Sequence, residues 1–367
     1  MNRAPCGQLP VVLPVGQDVS VKRRRLIFSL LALAALIAVG WRQFRTSPEW
    51  HDFTWQAVWH ATRNARLSFL LGAIALIYVS YLLRSLRWST LMIPHGRFWP
   101  ILRGTLIGFT GLAIFGRPGE FVRPYYIARS HRMAISPQLA VWILERAFDM
   151  AATLLLVVAA LFLNPSFSAH GGTADALRRA LWILGGLVVA ALIGIGLFHR
   201  HHAGITRYVR LRLGRSSKAL AQRAEHFLRT LAAGTQALAA GGKNLILSSI
   251  YTVSLWLGVA VAVWLVVHGF PGMVPGFTYA EALLLLGFLL IGSLIQLPAI
   301  GGGVQVLLVL GLTEVFGAPA ASAASAALLL WLIAFYAVTP LGAALAAREH
   351  LSWRRLEQEA ELAERQA

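Results

Sequence analysis

Three groups of polar residues stand inside a chain that is otherwise mostly apolar. The first is Glu145-Arg146 followed by Asp149. On a helix Glu145 and Asp149, four apart, share a face, and Arg146, three before Asp149, can reach it. A charged side chain at the centre of a membrane helix costs roughly 2.5–3.5 kcal/mol on insertion scales, so such residues need partners or a water-filled cavity. Two readings stay open: an internal ion-pair set that ties helices together, or the wall of a binding or translocation path. The second group is Arg117-Pro-Gly119-Glu120-Phe-Val-Arg123. Gly119 permits a tight turn, and the planar fork of arginine suits phosphate oxygens. A phospholipid headgroup or a polyprenyl phosphate fits such a pair. Simple anchoring at a membrane edge needs no acid, which Glu120 supplies. The third is Pro298-Ala-Ile-Gly301-Gly302-Gly303-Val-Gln305. Its glycines let backbone approach a ligand, and small residues also serve plain helix packing in membranes.

Other chemistry is poorly provided for. No phosphate-binding loop or dinucleotide fingerprint is present. Gly301–Gly303 sits in an apolar context unsuited to one. The single cysteine, Cys6, excludes an intramolecular disulfide. His199, His201 and His202 read as a basic loop end, because no cysteine or second histidine pair stands near to complete a metal shell. The expectation is no catalytic residue set, no cofactor and no metal.

The elements that must position these groups are helices in a bilayer. Apolar residues make up 57% of the chain and charged residues 13%, against about 45–50% and about 25% in soluble domains. The sequence therefore reads as an all-α polytopic membrane protein, a helical bundle with one or two re-entrant or broken helix segments. A net charge of +18 would suggest nucleic acid in a soluble protein. Here its placement gives another explanation, and no nucleic acid is expected.

Residues 1–25 form a basic leader ending in Lys22-Arg23-Arg24-Arg25, followed by an apolar run from Leu26 to Gly40 that reads as an uncleaved anchor. The domain expected to do the work runs over 26–347. Residues 42–66 read as a tryptophan-rich loop, and Leu67–Leu83 as a span closed by Arg84 and Arg87. Gly104–Gly116 is apolar but only 13 residues long, with arginines on both sides. That pattern reads as a re-entrant segment entered from one face, with Arg117–Arg123 at the membrane edge. Further spans are expected over 138–163, 181–198, 244–267 and 325–347. Residues 199–243 form a basic stretch in which 220–238 has the spacing of an amphipathic surface helix. The pieces 281–297 and 304–316 are either two thin spans or a second re-entrant pair. A charged tail, 348–367, completes the chain. With the amino terminus in the cytoplasm, the inside segments carry 26 Lys and Arg and the outside loops 6. That asymmetry is what the positive-inside rule expects, with both termini cytoplasmic.

Taken together, the Arg-x-Gly-Glu-x-x-Arg pattern at 117–123, Glu-Arg-x-x-Asp at 145–149 and the Pro298 to Gly303 break resemble the lysylphosphatidylglycerol synthase transmembrane region, a flippase-like family. The resemblance covers roughly residues 25–347. It implies a bacterial or archaeal integral membrane protein whose better-understood relatives move an aminoacylated phospholipid between leaflets. It also implies that Arg117, Glu120, Arg123, Glu145, Arg146 and Asp149 match the family's polar positions. Two departures stand out. Only 20 residues follow Ala347, so the chain is expected to lack the large cytosolic domain of the bifunctional relatives and not to be a synthase. Many members carry an acid just after the glycine break, where this chain has Gln305.

Three functions compete at this point. A translocase for a phospholipid or lipid-linked envelope intermediate would use Arg117 and Arg123 to capture an anionic headgroup and Glu145 and Asp149 to line the path. A membrane-embedded transferase acting on a lipid phosphate would use the carboxylates as base or metal ligands. An accessory protein of an envelope-synthesis complex would dock through 199–243. The expected partners are membrane lipid, anionic or polyprenyl-phosphate-linked, with envelope-biosynthesis proteins and a second copy of the chain as further candidates.

Overall fold

The computed structural model describes residues 54–92, 95–163, 171–214, 242–293, 296–297 and 301–349, with isolated positions between 222 and 229. The expected leader, the anchor at 26–40, most of the surface helix at 220–238, Pro298 and the tail beyond 349 lie outside the described residues. The described chain is helical apart from one two-residue strand pair. In order come α1 (Trp55–Arg63), α2 (Leu67–Leu91), α3 (Phe98–Phe115), a 3₁₀ turn (Arg117–Phe121) and α4 (Val122–Ser130). Then follow α5 (Ile135–Leu163), α6 (Gly171–Gly214), α7 (Gly242–His268), α8 (Tyr279–Gly292), β1 (Gln296–Leu297) and β2 (Gly301–Gly302). The last are α9 (Gly303–Leu310), α10 (Ala320–Trp331) and α11 (Thr339–Arg348), with α10 and α11 forming one 29-residue apolar span.

Helices α2, α3, α7 and the α10–α11 span are each long and apolar enough to cross a membrane. A bilayer offers the backbone no partner, so each helix satisfies its own amides and buries polar side chains against its neighbours. α2 and α7 run antiparallel. The Arg66 N–H donates to the Gly269 carbonyl at one end (2.8 Å), and the Thr90 and Ser248 hydroxyls meet at the other (2.8 Å). The end holding Thr90 also holds Arg97, Arg129, Arg132 and Arg348, and is called here the basic end.

Two helical hairpins enter this frame from opposite ends. The first is α3, the 3₁₀ turn and α4. A Cβ added to Gly104 would meet Ile127, one on Gly108 would meet Arg123, and one on Gly111 would meet Val122. This register is antiparallel, with α3 entering from the basic end and α4 returning to it. The Arg97 N–H donates to His131 Nε2 (3.1 Å) where the two arms begin and finish. Gly116, at φ +67°, ends α3 in a conformation that suits glycine. The hairpin is thus longer than expected, with two helical arms over 98–130. Residues 117–123 lie at its tip, where Glu120 and Arg123 are buried among the helices.

The second hairpin is α8 and α9, the two apolar pieces expected over 281–316. Thr278 and Glu281 form a reciprocal cap at the start of α8, with the Thr278 N–H donating to Glu281 Oε2 (2.6 Å) and the Glu281 N–H to Thr278 Oγ1 (3.3 Å). α8 then runs inward for 14 residues, about 21 Å. Gly292 packs on the backbone of Gly303, and Phe277 and Phe316 close the opposite end with ring centroids 5.5 Å apart. Strands β1 and β2 pair Gln296 with Gly302 and Leu297 with Gly301 at the tip.

Other boundaries also moved. α1 occupies part of the expected 42–66 loop because Thr54 caps it and Val58 is buried, while Trp55 and Trp59 stay exposed. α2 does not stop at Leu83. It runs on to Leu91, since Trp88 and Leu91 are buried too. α6 is continuous over 44 residues, about 66 Å, so His199, His201 and His202 are helical and not a loop end.

The hairpins give a direct topological test. In a Cys6→Ser background, His95→Cys and Ala134→Cys flank the first hairpin, and Pro275→Cys and Pro319→Cys the second. A membrane-impermeant maleimide should label the first pair from one side and the second pair from the other. A pair split between the two sides would mean that its hairpin crosses.

Candidate functional site

The centre of the bundle is a cluster of six charged side chains from three helices, with polar contacts from a fourth. α5 contributes Glu145, Arg146 and Asp149 near its middle, α2 contributes Arg84 and Arg87, and α4 contributes Arg123. Arg87 bridges both acids, with Nη2 donating to Glu145 Oε1 and Nη1 to Asp149 Oδ1, each at 2.6 Å. Arg123 Nη1 donates to both oxygens of Glu145 at 2.9 Å, and its Nη2 to the Arg84 carbonyl at 3.1 Å. Arg84 Nη1 reaches Asp149 Oδ2 at 3.2 Å and Glu145 Oε1 at 3.6 Å. Arg146 Nη2 reaches the same two atoms at 3.2 and 3.5 Å. From α7, the Trp256 indole N–H donates to Asp149 Oδ1 (3.0 Å), and Thr252 Oγ1 accepts from Arg87 Nη1 (2.8 Å).

Burial is nearly complete. Glu145, Asp149, Arg84, Arg87 and Arg123 are all buried, and only the Arg146 side chain, 34% exposed, has an open flank. Charge-assisted hydrogen bonds are stronger than neutral ones, and each carboxylate oxygen here receives at least one. Ring faces hold the cations in place. The Arg123 guanidinium lies 4.2 Å from the Trp88 ring centre, and that of Arg84 lies 5.3 Å from Phe109 and 5.7 Å from Trp256. Trp88 is oriented by donating to Gln138 Oε1 (2.9 Å).

Two spaces adjoin the cluster. A cavity of about 130 Å³ lies between α2, α3, α7, α8, α9 and the α10–α11 span. Its walls are mainly aliphatic and aromatic, including Tyr81, Phe109, Trp256, Trp331 and Phe335, and Arg84 is its one charged lining residue among those described. A π-helical turn at Leu332–Tyr336 sits beside it, and the Ala334 carbonyl accepts from the Tyr81 hydroxyl (2.9 Å). On the other side a narrow cleft is lined by Glu120, Arg123, Trp142 and Arg146. Phe109 borders both spaces.

Of the residues singled out from sequence, the structure joins Arg123, Glu145, Arg146 and Asp149 in the cluster. Arg117 and Glu120 pair with each other (Nη1 to Oε1, 2.6 Å) at the first hairpin tip, and Arg117 also donates to the Ser293 carbonyl, linking the two tips. Gly119 has a packing role, since a Cβ there would sit 2.1 Å from the Gly111 carbonyl oxygen. Gly301 and Gly302 form β2, and Gly302 at φ +120° adopts a conformation that disfavours a side chain. Gly303 begins α9, and Gln305 Oε1 accepts from the Gly302 N–H (2.7 Å), so this glutamine closes the start of the helix. Arg84 and Arg87 were read as the close of a span. They are in fact central to the cluster. The signal that could have found them was Trp88, Leu91 and Met92 continuing the apolar face past two arginines three apart. Among the described residues no group of His, Cys, Asp or Glu could hold a metal ion.

Fold and site together define a polytopic all-α membrane protein with a buried charged centre beside the meeting point of two opposed hairpins. The chain belongs to the family described as the lysylphosphatidylglycerol synthase TM region, which matches residues 26–342. No curated protein and no solved structure matches it.

The cluster holds four guanidinium groups and two carboxylates, so the two acids are the scarcer partners. Asp149→Asn would strip charge pairing from Arg84, Arg87 and Arg146 together and should destabilise the protein by about 3–5 kcal/mol, the cost of orphaning a buried charge. Arg84→Gln lowers the positive excess and should cost clearly less. Thermal unfolding of the detergent-solubilised protein would rank the two, and the reverse order would contradict this balance. Gly119→Ala should also unfold early, because no flexible side chain stands in the way to yield.

Proposed function

We propose that this protein is a flippase-like translocase for a phospholipid or a lipid-linked envelope intermediate in a bacterial cytoplasmic membrane. The observation that carries this reading is the apolar cavity beside the hairpins, whose one guanidinium among the described lining residues is that of Arg84. A lipid presents the complementary pair of features, a charged phosphate and an apolar chain. Discontinuous helices that meet inside the bilayer are the usual way for transporters to build a site with access from both sides. The aromatic and aliphatic walls suit the chain end of the lipid. Arg84 suits its phosphate, and Arg146 and Arg123 in the cleft offer the same chemistry on the far side of Phe109.

The carboxylates favour transport over transferase chemistry. Each oxygen of Glu145 and Asp149 already accepts from a guanidinium, so neither acid is free to take a proton as a general base. Their task in this reading is to hold the arginines ionised and in place. The orientation proposed has both termini in the cytoplasm and the basic end inward. Arg84, Arg87 and Arg123 are buried and drop out of the charge count. The remaining asymmetry keeps its sign, because the outer loops still carry only 6 basic residues.

Purified protein in liposomes should speed the exchange of a fluorescent phosphate-bearing lipid between leaflets. Arg84→Gln should slow that exchange by about tenfold or more, the equivalent of one charge-assisted hydrogen bond. A leaflet distribution that changes at the same rate with and without protein would overturn the translocase reading.

A further inference from the structure

We infer that the headgroup taken by this site is a net anion, a phosphate without a compensating ammonium, and that cationic aminoacyl headgroups are rejected. This rests on the lipid-binding part of the proposed function and specifies its substrate class. It runs opposite to the chemistry in the family's description, since a lysyl ester of phosphatidylglycerol carries two ammonium groups against one phosphate.

The first support is the charge balance. Arg84, Arg87, Arg123 and Arg146 are ion-paired to Glu145 and Asp149, a formal excess of two positive charges within this cluster, and Glu120, which also faces Arg146 across the cleft, is itself paired with Arg117. An excess of that kind is relieved by an anion and worsened by a cation, and weak screening in a buried site enlarges both effects. The second is the use of acceptors. Glu145 Oε1 takes Arg87 and Arg123, and Oε2 takes Arg123. Asp149 Oδ1 takes Arg87 and Trp256, and Oδ2 takes Arg84 and Arg146. An incoming ammonium would find no carboxylate oxygen that is not already shared.

The third is the supply of donors. The Nε atoms of all four arginines are buried and have no hydrogen-bond partner among the described residues. Arg84 is only 8% exposed, makes its carboxylate contacts through Nη1 alone, and lines the cavity. Its Nε and Nη2 edge therefore has the geometry to grip two oxygens of a phosphate. The fourth is the cavity wall, which has no Asp or Glu among its described residues. Its aromatic faces at Trp256 and Phe109 are already taken by Arg84 as cation partners. In the cleft, Glu120 is the single additional acid, and it is paired with Arg117 at 2.6 Å. A phosphate could reach this arginine edge as a lipid headgroup or as the free inorganic ion, and the test must separate the two.

The experiment is a lipid competition on the full chain in phosphatidylcholine nanodiscs, read by native mass spectrometry of retained lipid. Phosphatidylglycerol and a polyprenyl phosphate are set against lysylphosphatidylglycerol and phosphatidylethanolamine, with inorganic phosphate as a separate competitor. Anionic lipids should be retained at least about tenfold over the lysyl lipid, since placing like charges together is strongly disfavoured. In Arg84→Gln that preference should shrink to about twofold, with Arg84→Lys keeping an intermediate value as expected for charge without the fork. Equal or greater retention of lysylphosphatidylglycerol by the wild type would overturn the inference, and that ranking needs no variant to fold. Occupancy by inorganic phosphate with no anionic lipid retained would overturn its lipid part. Anionic preference without any transbilayer exchange would leave the inference standing and remove the translocase reading.

Discussion

Everything in this bundle is arranged around the cost of keeping six charged side chains away from water. Neither Glu145 nor Asp149 could remain ionised in an apolar interior alone, and four arginines would repel one another without them. The arrangement that satisfies them needs α2, α4, α5 and α7 to meet at one level. Arg87 stands at the centre, since it reaches both acids and Thr252. Trp88 and Gln138 then hold Arg123 from the side, and Trp256 completes Asp149. The helices are therefore positioned by a polar requirement, and their apolar faces fill in around it.

The same requirement explains why the first hairpin turns back inside the bundle. Arg123 must reach Glu145, and it can do so only if α4 lies directly against α3. Gly104, Gly108 and Gly111 make that approach possible along one face of α3, with Gly119 at the turn. The second hairpin descends from the other end and is held by the contact from Arg117 to Ser293. Neither set of arms fills the interior fully at the tips, and the cavity occupies the remaining space.

This geometry refines what family membership conveys. The family's description names an aminoacylated lipid, whereas the charged centre of this chain has arginines in excess and acids fully engaged. A shared fold does not transfer a substrate, which is decided by the residues at the site. In this chain Gln305 follows the glycine break, and it caps α9. A helix start that needs a neutral acceptor for the Gly302 amide is well served by glutamine.

The sequence by itself determined the class of protein, the approximate spans and the polar motifs. Those features are local: apolar runs of ~20 residues and charges inside them are visible in one dimension. It also pointed correctly to Glu145, Arg146 and Asp149 as neighbours, because i, i+3 and i, i+4 spacing is a property of the helix alone. Partners on other helices were not legible. Arg84 and Arg87 looked like the end of a span because arginine at a membrane edge and arginine paired in the interior have the same letter and similar flanks. Arg117–Arg123 looked interfacial for the same reason. Only the tertiary structure decided between edge and centre, since that depends on whether an acid from a distant segment arrives within ~3 Å, and chain order does not encode that distance. It likewise brought the two apolar pieces of 281–316 together, where Gly292 meeting Gly303 is a contact between backbones and not a pattern of side chains.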